Sequence, residues 1–280
     1  MEQYHILVTV DNNYLLPLKV MLKSLFNNNF SLSFVIHLIY NDITKENLQD
    51  LQDYCAYHQA NLQTYFITQE TFMAAPTSER YSQAMYFRLL ACKLLPDTLE
   101  RILYLDPDIL IINSIETLYN MPLKDNLFAA AIHTQLMPFA DPVNKIRLGT
   151  YETEGYYNSG VMMLNLAKQR EVIDEDAVFT YIQEHEKELI LPDQDVLNGL
   201  YGSQILSIDD SLYNYDTRNF EAYLLWSGGV KTTRWVIQNT VVLHFCGKHK
   251  PWIKEAVTRF GILFKHYEQL VYRSAYTKKD

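Results

Sequence analysis

Residues 5–67 read HILVTVDNNYLLPLKVMLKSLFNNNFSLSFVIHLIYNDITKENLQDLQDYCAYHQANLQTYFI. Within them, 5–10 (HILVTV) is an apolar run of strand length, and Leu18, Met21, Leu22, Leu25 and Phe26 recur at the three-and-four spacing of a buried helix face. Residues 34–40 (FVIHLIY) form the next strand, a helix from Thr44 to about His58 sets Leu48 and Leu51 on one side, and 62–67 is a third strand. This βαβαβ alternation predicts a mostly parallel sheet covered on both faces.

Further along, a helix is expected over 82–92 and a strand over 101–105 (RILYL), which ends at Asp106-Pro107-Asp108. More strands are expected at 127–132, 160–166 (GVMMLNL) and 241–244, with a helix over 171–186 and another opening at 191–195. The pattern loses regularity at 134–155 and 208–236, whose loops are candidate lids. An amphipathic helix over 254–273 carries Val257, Phe260, Phe264, Tyr267 and Val271 on one stripe. With no internal repeat, low-complexity linker or Pro/Gly-rich hinge, one domain is preferred, less regular towards its C-terminal end.

The chain has 280 residues, 48% of them hydrophobic and 20% charged, enough to bury a sizeable core and too apolar for disorder. The net charge of −9 argues against a general nucleic-acid binder. It is unevenly spread: residues 229–280 carry +7 and 1–228 carry −16. Cys55, Cys92 and Cys246 are widely separated and form no CxxC pair, which points away from zinc or redox work and towards a reducing compartment. No run approaches the roughly 20 apolar residues of a membrane span and the N-terminus does not read as a signal peptide, so a cytoplasmic protein is expected.

Neither GxGxxG nor GxxxxGK[ST] occurs among the nine glycines, so backbone cradling of phosphate is not the main device. A divalent cation with protein oxygen ligands is the alternative. Asp106 and Asp108, at i and i+2 beyond an apolar strand, suit that need if the segment is extended, and equally suit a turn. His244 ends the late strand and opens His-x-x-Gly-x-x-Lys-Pro-Trp; it reads as a third ligand or as a hydrogen-bonded structural histidine. In that grouping Gly247 allows close backbone approach and Lys250 can meet a phosphate. Tyr156-Tyr157-Asn158-Ser159-Gly160 and Leu191-Pro192-Asp193-Gln194-Asp195 supply the amides and carboxylates that a sugar's hydroxyls need, with Asp193 equally placed as a helix N-cap.

The ordered set VTVDNNY (8–14), YFRL (86–89), LYLDPDILI (103–111), YYNSGVMMLNL (156–166), LPDQDVLNGL (191–200) and HFCGKHKPW (244–252) resembles glycosyltransferase family 8, the group of the bacterial lipopolysaccharide galactosyl- and glucosyltransferases and of glycogenin. The resemblance covers about residues 4–253. It implies an α/β GT-A fold with a Rossmann-like, mostly parallel central sheet, a catalytic domain over 1–253, and a helix with a short basic tail over 254–280. It further implies a UDP-sugar donor, Mn²⁺ (or Mg²⁺) and retention of anomeric configuration. Carried over residue by residue, Asp106, Asp108 and His244 are the metal ligands. Asp11, Asn13 and the Val8 backbone hold the uridine, and Gly247 and Lys250 the diphosphate. Arg88, Asn158, Asp193 and Gln194 hold the donor sugar, with Gln194 at the position that a double-displacement nucleophile would need.

The expected reaction moves glucose or galactose to a glycan, lipid-linked or protein-linked acceptor. The alternatives are a self-glycosylating, glycogenin-like protein and a non-catalytic UDP-sugar-binding partner subunit. His133-Thr134 stands where some relatives carry an Asp near the sugar, so donor identity stays open. The basic C-terminal segment reads as solvated surface or as a weak peripheral contact with an anionic membrane.

Overall fold

The computed structural model describes residues 2–68, 84–132, 155–253 and 258–273. Among the described residues ten strands run in chain order as β1 (Gln3–Thr9), β2 (Ser33–Tyr40), β3 (Asn61–Phe66), β4 (Arg101–Leu105), β5 (Ile109–Ile111), β6 (Phe128–Ile132), β7 (Tyr157–Asn165), β8 (Ile205–Ile208), β9 (Tyr215–Asp216) and β10 (Val242–His244). Seven of them form the central sheet in the order β3-β2-β1-β4-β7-β6-β8. All are parallel except β7, which pairs antiparallel with both β4 and β6. The mostly parallel α/β sheet expected from the alternation is therefore present.

Both faces of this sheet are covered, and the strand sequences show why. β2 is buried at nearly every position, as a central parallel strand must be. On one face Ile6, Val8, Ile36 and Leu38 pack with Leu18, Met21, Leu22 and Leu25 of α1 (Leu15–Asn28) and Leu51 of α2 (Lys45–Tyr57). On the other, Leu7, Ile39, Tyr104, Phe128 and Met162 pack with Phe87 and Leu89 of α3 (Ala84–Leu89). Thr44 caps α2, its hydroxyl accepting from the Asn47 N–H at 3.3 Å.

The remaining α-helices among the described residues are α4 (Ala91–Leu94), α5 (Glu116–Tyr119), α6 (Leu166–Val172), α7 (Glu175–Glu184), α8 (Pro192–Tyr201), α9 (Asp210–Tyr213), α10 (Phe220–Trp226), α11 (Thr233–Asn239) and α12 (Gly261–Tyr272). Several expectations are corrected here. The single helix over 171–186 is two, because Asp174 takes an extended backbone and caps α7 through the Asp176 N–H. The irregular 208–236 stretch holds two short α-helices, a 3-10 turn, β9 and the start of α11. The C-terminal helix starts at Gly261 and not at 254; its Phe264 and Val271 join the apolar cluster under α1, and residues 254–257 and the tail from 274 lie outside the described residues. His133-Thr134 and nearly all of the 134–155 stretch also lie outside them. Among the described residues no helix is long and apolar enough to cross a membrane.

A second, small sheet in the order β5-β10-β9 determines where the polar motifs meet. Asp106-Pro107-Asp108 carries the chain from β4 in the large sheet directly into β5 in the small one. His244 ends β10 opposite Ile109 of β5 and beside Asp216 of β9.

Candidate active site

The acidic motif is a turn, not the extended segment that the i, i+2 reading assumed. It is nevertheless pinned at both ends by backbone bonds: Asp106 N–H donates to Gly160 C=O at 2.8 Å, and Phe245 N–H donates to Asp108 C=O at 3.0 Å. The turn therefore locks β7 to β10 across the gap between the sheets. As a result Asp106, Asp108 and His244 each aim one ligand atom into a common volume, all within 4.8 Å of one another. Two carboxylate oxygens and an imidazole nitrogen are a donor set that divalent Mn²⁺ accepts, since carboxylates suit Mn and Mg and imidazole broadens the choice.

Two cations already neutralise this acid pair. The Lys250 ammonium lies on Asp108 and also donates to the Phe245 carbonyl at 2.9 Å. Arg88, from α3, reaches Asp106 Oδ1 at 3.3 Å and Asp193 Oδ2 at 2.9 Å, with its guanidinium over the Tyr104 ring. Burial opposes the charge on Arg88, but Asp106, Tyr104 and Asp193 outweigh it and keep the guanidinium protonated. The two aspartates part company. Burial raises the Asp106 carboxyl above the ordinary carboxylate range, and the neighbouring Asp108 charge adds to this. For Asp108, burial is overcome by His244 and Lys250, which hold its carboxyl below that range. His244 is disfavoured as a cation by burial, yet the Cys246 sulfur and Asp108 raise it above its ordinary value.

The residues expected on the sugar side form one network. Asn158 sits near the start of β7, where its Oδ1 accepts from Gly160 N–H at 3.0 Å and its Nδ2 donates to Gln194 Oε1 at 3.1 Å. Ser159 bridges to Asp193 Oδ2 at 3.3 Å through its hydroxyl. Asp193 is not the N-cap of α8. Leu191 takes that place, Pro192 follows at the first helical position, and Asp193 lies inside the first turn facing Arg88. The cap work falls to Asp195, which is fully buried and accepts from the Ile190 and Leu191 N–H groups at 2.6 and 2.9 Å. Asn198, one turn on from Gln194, clamps α8 to β7 through Tyr157 N–H and C=O at 2.7 and 2.8 Å.

Three contributors were missed in the sequence. Gly160 has to be a glycine, since a Cβ there meets His244 Cε1 at 2.4 Å and Asp106 Oδ2 at 2.8 Å. Asn214, just before β9, accepts from His244 Nδ1 at 2.8 Å. Tyr104 donates to Asp106 Oδ1 at 2.6 Å. The glycine spacing around the motifs could have flagged Gly160; nothing local marks Asn214. Gly247 takes φ +84°, the left-handed region that favours glycine, and a Cβ there meets Arg218 Nη1 at 2.6 Å.

Val8, Asp11 and Asn13 sit at the C-terminal end of β1, the parallel neighbour of β4, where open α/β sheets take their ligands. Val8 is buried, and Asp11 caps a short 3-10 turn (Asn12–Tyr14) by accepting from Asn13 N–H at 2.9 Å. Tyr14, next in line, meets Trp252 edge-on at 5.8 Å between ring centroids, which joins this strand end to the Lys250 segment.

The model of "Glycosyl transferase family 8" matches residues 5–256. The chain is similar to the lipopolysaccharide 1,2-glucosyltransferase of Escherichia coli, 28% identical over 261 residues that span 90% of this chain and 74% of that protein. It is also similar to the lipopolysaccharide 1,3-galactosyltransferase of Salmonella typhimurium, 24% identical over 255 residues, or 90% and 73% of the two chains. In fold it resembles galactosyltransferase LgtC, solved in complex with donor and acceptor sugar analogues, with a TM-score of 0.78 at 24% identity over 95% of each chain. That likeness establishes the GT-A architecture, and because the family model spans almost every element described above, the chain belongs to glycosyl transferase family 8.

Proposed function

We propose that this chain is a retaining, Mn²⁺-dependent transferase that moves a hexose, glucose or galactose, from a UDP-sugar to a hydroxyl of a carbohydrate-containing acceptor. The observation that carries this reading is the convergence of Asp106, Asp108 and His244 at the strand ends of a family 8 chain, flanked by Lys250 and Arg88. A divalent cation held by those three residues supplies Lewis-acid charge to a diphosphate leaving group. Lys250, carried just beyond the left-handed turn at Gly247, can exchange Asp108 for a phosphate oxygen and add positive charge there. Asp11, Asn13 and the Val8 backbone hold the uridine one strand away.

On the sugar side Arg88 fixes Asp193, whose carboxylate remains available to sugar hydroxyls, and Asn158 orients Gln194. In the reaction the bond between the anomeric carbon and the UDP oxygen breaks, and the acceptor oxygen bonds to that carbon on the same face. The acceptor's proton passes to the departing phosphate oxygen. Double displacement needs a nucleophile on the opposite face, and the residue at that position is an amide, Gln194, a poor one. Incubation with a panel of UDP-sugars and Mn²⁺, scored by UDP release, tests the proposal. Release is expected with UDP-glucose or UDP-galactose, is abolished by chelation, and falls at least 100-fold in Asp106→Ala; metal-independent release of the same size would overturn it.

A further inference from the structure

Four amide and imidazole side chains, three of them buried and Asn158 half-buried, form a continuous line from the metal-ligand cluster to the sugar-side glutamine. They come from four different places in the fold: His244 ends β10, Asn214 precedes β9, Asn158 lies in β7 and Gln194 in α8. His244 Nδ1 lies 2.8 Å from Asn214 Oδ1, Asn214 Nδ2 lies 2.8 Å from Asn158 Oδ1, and Asn158 Nδ2 lies 3.1 Å from Gln194 Oε1. Asn214 is fully buried and His244 is 4% exposed, so an unpaired polar end here has no water to turn to.

The two ends of an amide are hard to tell apart by shape, but a backbone N–H is only ever a donor. Gly160 N–H points at Asn158 Oδ1 from 3.0 Å, and that atom must therefore be the oxygen. Ser159 N–H points at Gln194 Oε1 from 3.4 Å and fixes that end in the same sense. From these two anchors the rest follows. Asn214 has to donate to Asn158, which turns its oxygen towards His244, and His244 has to carry a hydrogen on Nδ1. Its Nε2, 3.3 Å from Asp108 Oδ1, is then the ring nitrogen that can give up its hydrogen in exchange for a metal. At the far end, Gln194 Oε1 is committed to two donors, which leaves the amide NH₂ as the end available to a ligand.

We propose that Asn214 is a positioning residue of this site: it sets the ring state in which His244 offers Nε2 as a ligand, and through Asn158 it holds Gln194 with its NH₂ facing the donor sugar. This rests on the metal-dependent reading above. Neighbours of a ligating imidazole act in this way in metal sites generally, where their loss weakens metal binding by about 10- to 100-fold.

The test is Mn²⁺ affinity of the full chain in saturating UDP, by calorimetry, together with kcat and KM for the donor, in wild type, Asn214→Leu and Asn214→Asp. Asn214→Leu removes both contacts and is expected to weaken Mn²⁺ by about 10-fold or more and to lower kcat. Asn214→Asp keeps an oxygen towards His244 but cannot donate to Asn158. It is expected to keep Mn²⁺ affinity within about threefold of wild type while kcat falls and donor KM changes little, a split that a merely structural asparagine does not produce. Wild-type Mn²⁺ affinity in Asn214→Leu overturns the proposal. Should Asn214→Leu fail to fold, Asn214→Asp decides: equal loss of affinity and kcat, or no loss of either, overturns it. If wild type itself binds no Mn²⁺ with UDP, the metal-dependent reading fails and takes this one with it, whereas tight binding in all three proteins removes only the role of Asn214.

Discussion

Gly160 shows how narrowly the site tolerates change at a single atom. A methyl group there falls within 3 Å of both His244 and Asp106, and neither can retreat: the ring is held by Asn214 and the carboxylate by Tyr104 and Arg88. Gly160→Ala is therefore expected to cost about 1–3 kcal/mol of stability by overpacking and to lower metal-dependent UDP release at least 100-fold. Thermal melts and kinetics on the same preparation check both figures; unchanged turnover would contradict the close packing. Asp106, Asp108, His244 and Lys250 were legible in the sequence because each stands in a short motif with its own chemical signature. Gly160 crowds side chains at least 54 residues away and Asn214 bonds to ones at least 30 residues away, and that pairing is set by strand register, which no local window contains. Asp193 is the opposite case: its local reading as a cap was reasonable, and a long-range ion pair with Arg88 took it instead.

At the level of elements, the long periodic runs were readable and the short ones were not. β1, β2 and α1 followed from apolar spacing alone, whereas the two-residue β9 and the break at Asp174 depend on what packs beside them. Across β1, β2 and β3, His5 Nδ1 meets His37 Nε2 at 2.9 Å and His37 Nδ1 meets the Tyr65 hydroxyl at 2.9 Å. Burial, with the neighbouring His5 adding to it, pushes His37 down to about 4. Between pH 6.5 and about 4 the unfolded chain takes up a proton that the folded chain refuses, so this ladder weakens the fold as the solution is acidified. The effect reaches about 3 kcal/mol by the lower limit, at 1.36 kcal/mol per pKa unit. His37→Gln is expected to flatten the dependence of melting temperature on pH over that window, measured between pH 7 and 4.5; an unaltered slope would assign the acid sensitivity to His5 or His58, which are shifted in the same direction.

Taken as a whole molecule, the chain's charge asymmetry resolves into specific pairs. Of the cations in the basic C-terminal portion, Lys250 lies on Asp108 and Arg259 on Glu221, acids outside that portion, so part of the excess is neutralised within the fold. The acidic body in turn brings the Asp106 and Asp108 carboxylates together with His244, a ligand set that exists only in the folded state. By mass action, Mn²⁺ with UDP is therefore expected to raise the melting temperature, a ligand at 100 times its Kd contributing about 2.7 kcal/mol. Differential scanning fluorimetry with Mn²⁺, UDP and both together checks this, and the combined shift is expected to vanish in Asp106→Ala.

The turn at 106–108 also ties the large sheet to a small one whose strands have only three, three and two residues. So short a sheet has few bonds of its own to resist opening, and local opening is read most directly in amide hydrogen exchange. Ligand binding across Asp106 and His244 spans the seam between the sheets, and acts there like a rivet. The backbone amides of Phe245 and Ile111 are then the places where occupancy of the site should be audible as slowed exchange, at a distance from any atom that undergoes chemistry.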